Sequence, residues 1–411
     1  MRRVVVTGIG IVAPTGNDVR SAWSGVLSGK SFIRSIQNFD ASQLPVTIAG
    51  EVDNFDASGL LGAKVARQSS RFVQLAAVAA DEALRDAGFD REEMGRQCGC
   101  LIGVGIGGLG EIEASSCLLA ERGASRVSPL TLPYAIPNMA SGFVAIEHNL
   151  LGPSFGLATA CASGSHAIGE SARIIGDGDA EMMVAGGAEA ATCSLSIACF
   201  AKMKALSTQN TSPETASRPF DKNRDGFVIG EGAGLLVLEE LQHAQRRGAT
   251  IYAEVVGYGL SADANHLTQP APEGEGLARA MTRAIKRAEI APEDIDYINA
   301  HGTSTKANDF LESQAIASVF GEASTEVSIS STKGATGHCL GAAGGIEAVY
   351  TVLAIRHDVV PPTANLETPD PDCPLNYTAL EPMTKPVSHA MSNSSGFGGQ
   401  NASLIFRKFA H

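Results

Sequence analysis

Five features stand where bond-making chemistry would need them: a cysteine, two histidines, a lysine and a glycine-rich turn. Cys161 lies in Leu157-Ala158-Thr159-Ala160-Cys161-Ala162-Ser163-Gly164-Ser165-His166-Ala167. An apolar, strand-like run ends at Ala160, and a helical pattern follows through Ala167, Ile168, Ala172, Ile174 and Ile175. The sulfur therefore falls at a strand–helix junction, where the first helical N–H groups lack partners and the helix dipole favours negative charge. That placement predicts a thiolate, the nucleophilic form. Ala160, Ala162, Ser163 and Gly164 are small enough to let a substrate carbonyl approach. The competing reading is a buried structural cysteine, and the remaining groups decide between the two.

Ile298-Asn299-Ala300-His301-Gly302-Thr303-Ser304-Thr305 reads as a strand ending in a small polar turn. Ser330-Ser331-Thr332-Lys333-Gly334-Ala335-Thr336-Gly337-His338 repeats the design with a cation and a second histidine. The helical pattern Cys339–Val352 carries Glu347, a partner for Lys333 in a site that excludes water. Ser394-Ser395-Gly396-Phe397-Gly398-Gly399-Gln400-Asn401 offers backbone N–H groups to an oxyanion. Neutral histidines donating toward a thioester or carboxylate oxygen would favour an enolate, while the cysteine holds an acyl group. Plain hydrolysis wants one histidine oriented by an acid, so the second histidine and the lysine point away from it.

These groups need a scaffold, and the sequence echoes itself. Val5-Val6-Thr7-Gly8-Ile9-Gly10 resembles Glu254-Val255-Val256-Gly257-Tyr258-Gly259, and Ala83–Phe89 resembles Ala284–Ile290. Thr159–Gly164 has a weaker match in Met391–Gly399. The spacing is far longer than a solenoid repeat. It predicts two copies of one α/β unit, 1–248 with the cysteine and 249–411 with the histidines and lysine, packed through a shared layer. Gly8-Ile9-Gly10 lacks the third glycine and the acid of a nucleotide fingerprint and reads as a strand end. Lys64–Ala87 reads as one long helix whose start carries Lys64, Arg67 and Arg71 without a nearby acid. The charged run Ser217–Gly232 fails the EF-hand spacing and reads as a structural loop.

Composition bounds the function. A formal charge of −13 without a long basic block argues against nucleic-acid binding. Of eight cysteines only Cys98 and Cys100 are closely spaced, in an apolar run, so neither a metal site nor a disulfide framework is expected. No apolar run reaches the ~18 residues of a membrane span, and Gly8 and Gly10 interrupt any signal-peptide core. The expectation is a soluble, cytoplasmic protein that binds neither nucleic acid nor membrane.

Thr-Ala-Cys-Ala-Ser-Gly at 159–164, Ala-His-Gly-Thr-Ser-Thr at 300–305, Ser-Thr-Lys-x-x-x-Gly-His at 331–338 and Gly-Phe-Gly-Gly at 396–399 resemble the elongating (type I/II) β-ketoacyl-acyl carrier protein synthases. The resemblance runs from Arg3 to Lys408 and implies a thiolase fold, two pseudo-symmetric α/β halves in five αβαβα layers. It implies that Cys161 takes an acyl chain as a thioester, and that His301 and His338 support decarboxylation of a malonyl unit and condensation. By the same resemblance Lys333, paired with Glu347, holds the constellation, and the N–H groups of Cys161 and Phe397 form an oxyanion hole, Phe397 also gating it. Thr303 and Thr305 would contact a phosphopantetheine arm, Ile106 and Phe200 an acyl chain, and Lys64, Arg67 and Lys204 the acidic carrier protein. No bound cofactor is implied, since substrates arrive on that arm. The family pattern departs at Ser395 (usually aromatic), Gln400 (usually Thr), Lys306 (usually Pro) and Asn308 (usually Gly), all on loops framing the site. Fatty-acid elongation and a specialised polyketide pathway, as a homodimer or with a chain-length-factor paralogue, both fit. A non-catalytic chain-length factor would lack the cysteine, and a thiolase would want a second catalytic cysteine better placed than Cys339 or Cys373.

Overall fold

The computed structural model describes residues 2–89, 95 and 97–410. The elements that matter run in two matching series. The first is β1 (Val4–Val12), α1 (Arg71–Asp86), β2 (Cys98–Gly103), α2 (Met139–Glu147), β3 (Ser154–Leu157), α3 (Ser163–Asp177), β4 (Met182–Glu189) and β5 (Gly232–Glu240). The second is β6 (Ala253–Ala262), α4 (Glu275–Ala288), β7 (Tyr297–Asn299), α5 (Lys306–Phe320), β8 (Ser328–Ser330), α6 (Ala343–His357), β9 (His389–Gly396) and β10 (Gln400–Lys408).

Strand order is β1-β5-β4-β2-β3 in the first series and β6-β10-β9-β7-β8 in the second. Within each series the pairs made by β5 and by β10 are antiparallel and the rest parallel, and β1 and β6, where the series meet, also pair antiparallel. The two sheets join where β1 meets β6 through Val5↔Glu254 and Val6↔Ala253. Side-chain alternation sorts the layers. On β5, Leu235 and Val237 pack with Leu75 and Ala79 of α1, while Leu236 and Leu238 pack with Val349 and Val352 of α6. Met281 and Ile285 of α4 and Ile316 of α5 cover the outer face of the second sheet. Helices α3 and α6 lie between the sheets, and α6 is buried from Ala343 to Ile355. A helix without a solvent face belongs in an inner layer. The result is the αβαβα arrangement of the thiolase fold.

The echoed glycines have a packing cause. A Cβ on Gly10 would stand 2.0 Å from the Ala79 carbonyl oxygen, and one on Gly259 would stand 1.9 Å from that of Ala280. Both let a helix press on one of the two strands where the sheets join, and β1 continues through Gly8 and Gly10 to Val12 instead of ending there. Other details also differ from the sequence reading. The segment 64–87 is two helices, Ala63–Arg67 and α1, broken where the Ser69 hydroxyl turns back to donate to the Val65 carbonyl. Arg71 has an acid after all, a bidentate pair with Glu231 at 2.6 and 2.7 Å. The echo of 159–164 in 391–399 is not a topological one. Met391 lies on β9, whose counterpart is β4, so the counterpart of the Cys161 junction after β3 is the Ser331–His338 segment after β8. Among the described residues no helix is long and apolar enough to cross a membrane.

Candidate active site

Cys161 sits between β3 and α3 on a strained turn. Ala160 has φ +49°, a left-handed value that a non-glycine residue adopts at a cost of roughly 1–2 kcal/mol. Ser163 holds the turn: its hydroxyl accepts from Thr159 N (2.8 Å) and donates to Ala160 O (2.6 Å). The helix begins only at Ser163, so Cys161 precedes its first turn. The thiol is 8% exposed. Burial pushes it up to about 12, with Glu189 and Glu347 adding to the rise and Lys333 and the Phe397 N–H opposing it. Burial therefore works against the thiolate expected from the helix terminus, and the sulfur needs a base beside it.

That neighbour is His338, whose Nε2 lies 3.0 Å from Cys161 Sγ. Burial, then Lys333, pushes its pKa well below 6.5, so the ring is neutral. The His301 ring stands edge-on to it at 5.3 Å between centroids, and is held neutral by burial, Lys333 and His338. Donor atoms of Cys161, His301 and His338 all lie within 4.8 Å of one another. Lys333 Nζ is 3.4 Å from His301 Nδ1 and forms a buried ion pair with Glu347. Burial raises the Glu347 carboxyl to about 7 while the ammonium of Lys333 pulls it back.

The glycine turn closes the site from above. A Cβ on Gly396 would stand 2.5 Å from Thr159 O, so the turn lies directly on the cysteine junction. Gly398 and Gly399 adopt φ +84° and +71°, which favour glycine. The Phe397 N–H points at the cysteine sulfur. Its ring is 37% exposed and lies 6.4 Å from Phe200.

A chamber of about 480 Å³ opens over these groups. Its walls include Ile106, Phe200, Thr303, Thr305, Ser395 and Phe397, with Cys161, His301 and His338 at the base. The Thr303 and Thr305 hydroxyls are 2.9 Å apart. Gln400 is not part of the wall. Alternation along β10 puts its neighbour Asn401 there instead and turns Gln400 away. The basic residues are divided: exposed Lys204 and Lys306 edge the chamber, whereas exposed Lys64 and Arg67 sit on the Ala63–Arg67 helix outside it.

Sequence reasoning missed the supports beneath His301. Glu312 of α5 accepts the His301 and Gly302 N–H groups at 2.8 and 2.7 Å. Arg224, fully buried in the loop read as merely structural, donates to the Thr305 and Lys306 carbonyls. An arginine in a charged loop gives no sign that it is buried. Glu312 could have been suspected, since it lies one turn beyond Asp309 on the helix that follows the His301 turn.

A thiolase-type scaffold with a buried cysteine, two neutral histidines and a buried lysine defines an acyl-transferring, carbon–carbon bond-forming enzyme. Residues 1–244 match the family model "Beta-ketoacyl synthase, N-terminal domain" and 252–367 match "Beta-ketoacyl synthase, C-terminal domain". The chain belongs to the β-ketoacyl synthase family. It is 49% identical over 408 residues to the 3-oxoacyl-[acyl-carrier-protein] synthase 2 of Coxiella burnetii, covering 99% of each chain. The ishigamide ketosynthase/chain length factor superposes at TM-score 0.93 with 35% identity, covering 100% of each chain. A type II PKS ketosynthase (AntDE:AntF), solved with its acyl-carrier protein and bound to the hexaketide, superposes at 0.91 with 36% identity and the same coverage.

Proposed function

We propose that this protein is a 3-oxoacyl-acyl carrier protein synthase that condenses an acyl chain held on Cys161 with a malonyl unit in fatty-acid elongation. The half at 1–248 supplies the nucleophile and the half at 249–411 supplies the histidines and lysine. In the first step Cys161 gives its proton to His338 Nε2 and attacks the thioester carbonyl of an acyl carrier. The N–H groups of Cys161 and Phe397 receive the oxyanion, and the carrier thiol leaves with a proton. In the second step malonyl-acyl carrier protein loses its carboxyl group as CO₂. Neutral His301 donates N–H to the enolate oxygen, and His338 does so as well once it has passed to the neutral tautomer that carries its proton on Nε2. The enolate carbon attacks the Cys161 thioester, the sulfur leaves as a thiolate that takes up a proton from solvent to restore the thiol, and the 3-oxoacyl carrier forms. Lys333 and Glu347 keep His301 oriented, and Phe397 gates entry.

The observation that carries this reading is the 3.0 Å contact of Cys161 with a neutral His338, with a second neutral histidine beside it. A hydrolase has no use for that second ring. Thr303 and Thr305 suit a phosphopantetheine arm, Ile106 and Phe200 suit the acyl chain, and no other cofactor enters the chemistry. Lys204, with Lys64 and Arg67 as a second basic contact, suits an acidic carrier protein on a chain of −13. Exposed Ile146, Leu151 and Phe155 lie on or beside edge strand β3 and suit a homodimer of this soluble, cytoplasmic enzyme. A second reading, a polyketide ketosynthase paired with a chain-length factor, is favoured by one feature: Ser395 leaves the chamber wall polar and open beside the gate. Gln400, turned from the chamber, supports neither.

The test is to mix the protein with acyl- and malonyl-acyl carrier proteins. The expected products are CO₂ and a carrier-bound 3-oxoacyl chain, both lost in Cys161→Ala. Free fatty acid without condensation would contradict the reading.

A further inference from the structure

One buried acid has no part in the steps above, yet it touches two walls of the chamber. Glu189 ends β4 and is completely buried. No cation faces it. Instead its carboxylate accepts four backbone N–H groups, which offset only part of the cost of burying a charge: burial still raises the carboxyl to about 7. Oε1 accepts from Gly107 N at 3.0 Å. Oε2 accepts from Gly105 N at 2.8 Å, Ile106 N at 3.0 Å and Gly341 N at 3.2 Å. The first three belong to the loop after β2, and the fourth to the turn just past His338. One oxygen therefore fastens a loop of the first half to a turn of the second.

Both segments border the chamber, through Gly105 and Ile106 on one side and Leu340 on the other. The first is a loop without a strand or helix of its own, the second a single 3-10 turn (Leu340–Ala342), and each contains a left-handed residue, Gly107 at φ +82° and Leu340 at φ +48°. The glycines admit the acid: a Cβ on Gly105 or Gly341 would lie 2.7 or 2.9 Å from Oε2.

We propose that Glu189 is a positioning residue for acyl-chain selection. Its carboxylate fixes the spacing of Ile106 and Leu340 around the chain carried by Cys161, and so sets which chains fit. This rests on the ketosynthase reading of the chamber. Glu189→Gln keeps the volume but replaces one oxygen with an amide N–H₂ facing N–H donors. Losing hydrogen bonds to a charged acceptor on one wall predicts about a 10-fold change in the ratio of kcat/KM for long against short saturated acyl carriers. Gly105→Ala tests the same link without removing the acid, because its Cβ wedges between Oε2 and Gly341 N. It should shift the ratio in the same direction.

The experiment measures condensation of short-, medium- and long-chain acyl carrier proteins by the full-length enzyme and both variants, with thermal unfolding as the folding control. A shifted ratio in a folded variant supports the role. An unchanged ratio, or an equal loss for every chain, overturns it and leaves Glu189 a purely structural acid. Amide exchange in the wild type gives an answer even if both variants fail to fold. The Gly105, Ile106 and Gly107 amides should exchange slowly, and more slowly once Cys161 is acylated; fast exchange indifferent to acylation overturns the role. Wild type that accepts no acyl chain from any carrier would remove the ketosynthase reading and this proposal with it.

Discussion

The two halves share one topology and hold their active residues by opposite means. At the β3–α3 junction, Cys161 is kept in place by an uncharged device, the Ser163 hydroxyl bridging Thr159 and Ala160. At the equivalent β8–α6 junction, His338 and its neighbour His301 are surrounded by buried charge: Lys333 with Glu347, and Glu312 beneath the His301 turn. A duplicated scaffold has thus been furnished twice, once for a nucleophile and once for polarising groups. The difference follows from the tasks. A negative charge beside the cysteine raises its pKa, as Glu189 and Glu347 do. A positive charge beside the histidines keeps them neutral donors.

If that division is real, damage to the two junctions should differ in size. Lys333→Ala would leave Glu347 buried and unpaired, at a cost of about 3–5 kcal/mol, while the paired change Lys333→Met with Glu347→Leu should restore most of the stability. Chemical denaturation measures both; equal losses in the single and paired variants would break the comparison. Ser163→Ala removes only a hydroxyl, stranding the Thr159 N–H while the Ala160 carbonyl keeps its bond from the Ser163 N–H, and should cost about 1–3 kcal/mol.

His301 and His338 give a pH signature, larger than that of the one buried ring at the first junction, His166 beside Thr159. Below about 6.5 an imidazole of the unfolded chain binds a proton that the native, buried ring does not. Stability is therefore present above that pH and lost as pH falls below it, by about 1.4 kcal/mol per pH unit for each ring. His301→Asn should flatten the curve by one such slope, measured by denaturation across the acid range; an unchanged slope would mean that the native ring also protonates. The smallest effect concerns specificity. Ser395→Phe fills space beside the gate, so the variant should shift several-fold toward saturated over α,β-unsaturated acyl carriers (a ~1 kcal/mol preference). The same saturated preference in both proteins would leave Ser395 without a role in selection.

That Cys161, His301, Lys333 and His338 belong to one candidate site was legible in the sequence because each stands in a short turn after an apolar strand run, among small neighbours. The duplication was legible through glycines at Gly8, Gly10, Gly257 and Gly259, since helix-on-strand contact demands them in both copies. What stayed hidden depends on long-range burial. Glu189, Arg224 and Glu312 look like ordinary charged residues until the fold closes over them. The effect of burial on Cys161 was missed for the same reason: a helix terminus is a local feature, whereas desolvation belongs to the assembled site. Gln400 was misassigned because alternation on β10 can be phased only once its register with β6 and β9 is known.

The division of labour is tested most directly by intact-mass analysis of His301→Ala incubated with acyl-acyl carrier protein and then with malonyl-acyl carrier protein. Cys161 and His338 remain, so the variant should gain the acyl mass on Cys161 as wild type does. It should then fail to clear that mass when malonyl carrier is added, with condensation lowered by ~10²-fold or more. A variant that never acquires the acyl group, or that clears it at the wild-type rate, would contradict the account.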